Sequence, residues 1–212
     1  MNLFTTLIAG IAFASTMAAK DAKAEALYQK LQDRLARATS ISGTVAVNAF
    51  GRTDTYHFKY LRPNLARFVS KDAAFYQSGG KLYSYFPLDK EYTVEPAPEA
   101  GLPGGTAFNL GGIVGLESIA FPNEPKLMPS KLVKKTQAGK TYQGIVLSSP
   151  ENKSFKAIVY LDPKSGLPAS WTYSLQGFQS SGEFKQLVLN APMKPVDFAF
   201  QPPKGAKLVK TN

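Results

Sequence analysis

Residues 60–87 read YLRPNLARFVSKDAAFYQSGGKLYSYFP, from Tyr60 to Pro87, and this stretch decides the fold. It opens at the end of a run in which Tyr56, Phe58 and Tyr60 alternate with Thr55, His57 and Lys59, a period of two that marks a strand with one apolar face. Pro63-Asn64 breaks that strand, because proline has no backbone N–H to give to a ladder. Leu65 to Ser70 resumes it, and Ala73 to Ser78 pairs through Gly79-Gly80 with Lys81 to Pro87, the glycines supplying the positive φ that a tight hairpin needs. Turns this short leave little room for crossover helices, so the sheet is antiparallel.

The pattern extends in both directions. Upstream, Ile41, Gly43, Val45, Val47 and Ala49 fall on one face, and the turn-like Gly51-Arg52-Thr53-Asp54 joins them to the strand that ends at Tyr60. Before them, Asp21 to Thr39 carries Leu27, Leu31 and Leu35 as one stripe of a helix, with Asp21 placed as its N-cap. So narrow a stripe suits a helix lying on a sheet. Downstream, Tyr92 to Glu95, Lys131 to Thr136, Lys140 to Leu147 and Ser154 to Leu161 read as strands, and Asp162-Pro163-Lys164-Ser165-Gly166 is a turn. Leu167, Ala169, Trp171, Tyr173 and Leu175 then alternate with Ser170, Thr172, Ser174 and Gln176, so one face of that strand is covered and the other wet. Phe184 to Asn190 is a last full strand, and the tail VDFAFQPPKGAKLV ends in a short strand or extended segment.

Between Pro96 and Pro129 the alternation stops, in a run interrupted by Pro98, Pro103, Gly104, Gly105, Gly111, Gly112 and Gly115. Within it, Thr106 to Ile119 reads as one or two short helices on a flexible tether. Such a segment is a candidate lid, with a plain loop packed on the core as the equal alternative.

Composition excludes several functions. The chain of 212 residues fits one domain, and with no cysteine it can hold no disulfide, thiol nucleophile or thiolate metal site. The single histidine, His57, rules out a histidine-cluster zinc site. Leu3 to Met17 is an apolar run followed by small residues, the pattern of an export signal, with cleavage expected after residue 19 or as late as 24. The run falls short of the roughly 20 residues that span a bilayer. The formal charge of +10 survives cleavage after residue 19 and becomes +9 after residue 24, which removes Lys20, Lys23 and Asp21. For an exported protein that balance favours anionic lipid head groups over nucleic acid, which is not expected as a partner.

Catalytic constellations are missing. Asp89, Glu91, Glu95 and Glu99 read as a solvated sheet edge, Ser180-Ser181-Gly182 lacks a nucleophile-elbow context, and the glycines from 104 to 115 lack the ending of a phosphate loop. The chain is therefore not expected to be an enzyme, and no cofactor or metal is called for. What remains is an excess of large apolar side chains on a curved sheet with one helix to cover it. Its inner face encloses either a packed core or a cavity.

Arg62-Pro63-Asn64-Leu65 followed by Phe68, the Gly80-Lys81 turn, Leu82-Tyr83-Ser84-Tyr85 with Pro87, and Phe198-Ala199-Phe200-Gln201-Pro202-Pro203-Lys204-Gly205 near the C-terminus together resemble the LolA family of outer-membrane lipoprotein carriers. The resemblance spans almost the whole chain after the signal, as a single LolA-like half-barrel domain over residues 20–212. It implies a mainly β fold, an unclosed antiparallel barrel of about eleven strands with an N-terminal helix and a short helical lid over a hydrophobic cavity. It implies a non-enzymatic, monomeric carrier in the periplasm or otherwise exported, whose cargo is an acylated lipoprotein or lipid and whose partners include a membrane-bound donor or acceptor protein. On this chain the cavity residues would be Phe58, Tyr60, Phe68, Tyr83, Tyr85, Trp171 and Tyr173, and the lid residues Phe108, Leu110, Ile113 and Leu116. Arg62 matches the arginine that latches the lid in the family, although an arginine that caps a turn or is simply exposed is the alternative. Ala66 and the lid glycines depart from the family pattern. An envelope sensor or protein-binding scaffold of the same fold is the other reading.

Overall fold

The computed structural model describes residues 21–97, 128–150, 153–175 and 177–210. One helix, α1 (Ala22–Arg37), precedes a sheet of twelve strands. In chain order these are β1 (Ser40–Ala49), β2 (Arg52–Leu61), β3 (Leu65–Val69), β4 (Ala74–Ser78), β5 (Lys81–Phe86), β6 (Glu91–Pro96), β7 (Met128–Gln137), β8 (Lys140–Ser148), β9 (Lys156–Leu161), β10 (Pro168–Leu175), β11 (Phe178–Leu189) and β12 (Lys207–Leu208). Their order across the sheet is β12-β6-β5-β4-β3-β2-β1-β11-β10-β9-β8-β7. β7 and β12 stand at opposite ends and do not pair, so the barrel is unclosed, as expected. The twelfth strand is a two-residue piece of the tail that pairs parallel with β6, the one departure from antiparallel pairing among the described residues.

Asp21 begins α1 as expected. Its Oδ1 accepts from the backbone N–H groups of Lys23 and Ala24 at 3.0 and 3.2 Å, satisfying donors that a helix start leaves free. Its Oδ2 accepts from the Leu132 N–H at 3.2 Å, so one carboxylate caps the helix and ties it to β7. The bond from Ala24 is the main reason its carboxyl is held below the ordinary 3.8, and Leu132 and Lys23 act in the same direction. Ala24, Tyr28, Leu31 and Leu35 are its buried stripe.

The helix packs on β7 and β8. Beneath and beside it lies one core, with Ile41, Val45, Ile145, Leu147, Val159 and Trp171 all at 1% exposure or less. The β11 strand is longer than its apolar part suggests. It starts at Phe178, and its polar half, Gln179 to Gly182, pairs with β1 and β10. A bulge opposite Thr44 and Val45 lets Phe184 and Leu187 both face the core although their spacing is odd.

Candidate binding face

The strand register assigns each aromatic to a face. Tyr56, Phe58 and Tyr60 of β2 stand opposite Val45, Gly43 and Ile41 of β1, and Phe58 and Tyr60 stand opposite Phe68 and Ala66 of β3. Through β11 the same face continues to Trp171 and Tyr173 of β10. Five of the seven expected cavity residues, Phe58, Tyr60, Phe68, Trp171 and Tyr173, therefore share the helix side of the sheet. Four of them are buried in the core, and Phe68 is half-buried against it.

Two glycines make room for the largest rings. A Cβ on Gly182 would stand 2.4 Å from the Trp171 ring, and one on Gly43 would stand 2.8 Å from Phe58 and 2.2 Å from the Gln186 carbonyl oxygen. Phe58 stacks on Phe68 at 5.8 Å between centroids and meets Phe184 edge-on at 6.3 Å. Trp171 stacks on Tyr173 at 6.0 Å, and Tyr173 on Phe155 at 5.9 Å. Among the described residues two polar atoms on this face are buried without a hydrogen-bond partner, Trp171 Nε1 and Gln77 Oε1. Sequence reasoning did not single out Gln77, whose neighbours Ala66 and Leu82 place it on the apolar side of β4.

Arg62 lies on the turn between β2 and β3. Its Nε donates to the Ala38 carbonyl oxygen at 2.8 Å and its Nη2 to that of Leu35 at 3.4 Å, which also accepts the Ala38 N–H, so among the described residues the guanidinium binds carbonyls at the end of α1. The guanidinium also sits 5.9 Å from the Tyr60 ring, whose hydroxyl donates to the Pro63 carbonyl oxygen at 2.8 Å. Burial pushes the Tyr60 phenol up, with Arg62 pulling the other way. The lid residues Phe108, Leu110, Ile113 and Leu116 lie outside the described residues. Arg62→Leu is expected to cost about 2 kcal/mol, the worth of the charge-assisted bonds that tie this turn to the end of α1, read as a lower urea midpoint.

Tyr83 and Tyr85 are not with the other aromatics. Tyr83 pairs with Tyr76, and Tyr85 with Ala74, on the opposite side of the sheet from Phe58. There, with Tyr76 and Tyr92, they surround Phe200 of the tail at 5.2 to 6.2 Å between centroids. The expectation that they line one cavity with Phe58 is corrected by the register. This far side also holds an open cavity of about 670 Å³, lined by Asn48, Thr53, Ser170, Thr172, Ser181 and Lys135 among others and too polar for an acyl chain. Ser180 is occupied structurally, its hydroxyl donating to the Asn48 carbonyl oxygen at 3.0 Å. Among the described residues no group of acidic or histidine side chains could hold a metal ion.

No family model matches the chain. An uncharacterized protein of Methanocaldococcus jannaschii is 26% identical over 223 residues, covering all of this chain, which spans 60% of that relative's length. Among solved structures, an uncharacterized conserved protein of Thermus thermophilus superposes with a TM-score of 0.57 at 12% identity, over 86% of this chain and 98% of that one. The Mycobacterium tuberculosis lipoprotein LppX superposes with a TM-score of 0.50 at 14% identity, over 82% and 99%. The chain thus shares the fold of these two proteins, a mostly β, open half-barrel with one N-terminal helix. Among the described residues no helix is long and apolar enough to cross a membrane.

Proposed function

We propose that the protein is a non-enzymatic, exported carrier that shelters acyl chains of a lipid or lipoprotein on the helix side of its sheet. One observation carries the reading. The inner face of β11, β1, β2 and β3 is a continuous apolar surface, and Tyr56, Phe68, Phe184, Leu187 and Leu189 on it are only half-buried. The strands on which α1 packs most closely are β7 and β8, and these half-buried side chains stand on other strands of the same sheet. Each methylene moved from water to such a surface gains about 0.8 kcal/mol, so even a short stretch of acyl chain is held. In this reading residues 1–19 or 1–24 are removed on export, and Gln77 Oε1 accepts a hydrogen bond from the cargo's polar end.

The reading is tested on the purified, delipidated protein with a long-chain fatty acid and a diacylated lipopeptide. Binding is expected to shift Trp171 emission and to leave the ligand bound in native mass spectrometry; no shift and no bound ligand would sink the carrier. Phe68→Ser removes a half-buried ring worth about 2 kcal/mol of apolar contact, so it should weaken ligand binding about thirtyfold while the fold survives. Arg62→Leu separates two roles: reduced stability with unchanged cargo exchange assigns the arginine to the helix end, whereas faster exchange makes it a latch as well.

A further inference from the structure

Antiparallel pairing sends the hairpins β1–β2, β3–β4, β5–β6 and β10–β11 to the same end of the sheet. The exposed apolar side chains gather there. Phe50 at the β1–β2 tip is 79% exposed, Leu88 at the β5–β6 tip is 81% exposed, and Phe86 beside it is also exposed. Leu208 and Val209, both exposed, join the same end through the pairing of β12 with the start of β6. Among the described residues only one other large apolar side chain is exposed, Val196 on the turn Pro195–Phe198. Scattered exposed apolar residues need no explanation, but their concentration on the tips of one end does.

Local backbone preference does not account for Phe50. Its φ of 54° and that of Gly51, 74°, form a tight hairpin turn in which the first position favours Asn, Asp or Gly, and a bulky aromatic is disfavoured. Its ring leans on Phe178 of the neighbouring β10–β11 hairpin, 4.5 Å between centroids, and is held outward. Between and beside the apolar tips stand exposed lysines, Lys71 on the β3–β4 turn, Lys90 on the β5–β6 turn and Lys153 ahead of β9. None of the three is in an ion pair among the described residues.

We propose that this end of the sheet docks on an anionic lipid bilayer, with Phe50 and Leu88 entering the interface and the tip lysines meeting phosphate head groups. The β1–β2 and β5–β6 tips are four strand spacings apart, about 19 Å, with lysine and polar backbone between them. A protein groove would have to match separate points at that distance, whereas a fluid plane of lipid receives each tip wherever it falls. The net charge of +10 adds long-range attraction to an anionic surface. The docking surface is distinct from the inner face, and its test reads vesicle binding without cargo, so either proposal can fail alone.

The experiment is co-sedimentation of the delipidated protein, without its signal, with vesicles of phosphatidylglycerol and phosphatidylethanolamine, and with vesicles of phosphatidylcholine alone. Binding is expected to the first and to be weak on the second. Phe50→Asn combined with Leu88→Ser should lower it about tenfold or more, and asparagine suits the φ at position 50, so the fold is kept. Lys71→Gln with Lys90→Gln should lower it and flatten its dependence on salt. Val196→Ser, which alters an exposed apolar residue on a different element, should leave it unchanged. Equal binding by the Phe50→Asn, Leu88→Ser variant overturns the proposal. So does failure of the parent protein to bind, or a dimer in analytical ultracentrifugation that this variant abolishes.

Discussion

Trp171→Ala is expected to lower the stability of the protein by about 3–5 kcal/mol, the range for deleting a large buried aromatic. Trp171 is 1% exposed and is the largest side chain in the fully buried core. Its neighbours Val159 and Gly182 are fixed by ladders on both sides of β10, so the space collapses little. Gly182→Ala attacks the same contact from the other side: its Cβ would lie 2.4 Å from the indole, and overpacking of this kind costs about 1–3 kcal/mol. The two changes should not add. Once the ring is gone, alanine at 182 occupies vacated space, and the double variant should be about as stable as Trp171→Ala alone. Urea denaturation of the three variants measures this. Additive losses would mean that Gly182 is needed for its backbone and not for the ring lying over it.

That pair also shows what the sequence could reveal. The alternation identified Trp171 and Tyr173 against Thr172 as the buried face of β10, but it failed at the start of the strand, where a register shift between Pro168 and Ser170 leaves Pro168 buried and Ala169 only half-buried. It did not identify Gly182 as a partner, since the ladder that brings Gly182 across from Trp171 is a tertiary fact and Gln179 to Gly182 is too polar to read as a strand. The hairpins from Tyr60 to Pro87 were legible from their turn residues. The faces of Tyr83 and Tyr85 were not, for a physical reason. In β5, Leu82, Tyr83, Tyr85 and Phe86 are apolar on both sides because the core covers one and Phe200 covers the other, and a strand covered on both faces shows no alternation to count. Arg62 was found by its motif, but its partners at the end of α1 lie more than twenty residues away in sequence, where no local signal points.

The covering of that second face leads to the other large effect. Phe198 is fully buried on the turn Pro195–Phe198, which packs against β3 and β4, yet it belongs to no part of the main core. Phe198→Ala is expected to cost about 3–5 kcal/mol, and Phe200→Ala about 1–2 kcal/mol through its contacts with the four tyrosines. The consequences should differ in place as well as size. The Lys207 and Val209 N–H groups donate to the Lys90 and Tyr92 carbonyl oxygens at 2.8 and 2.9 Å, and only two residues of β12 hold this edge. So short a strand is marginal without an anchor, and Phe200 provides one seven residues earlier. In Phe200→Ala the amides of Lys207 and Val209 should exchange with deuterium much faster, while those of β1 and β11 keep their protection. Unchanged exchange at Lys207 and Val209 would show that the prolines and the turn hold the strap without the aromatic cage. Faster exchange would instead make Phe200 the residue that keeps the tail across the β6 edge, where an uncovered row of backbone donors and acceptors invites pairing with another chain.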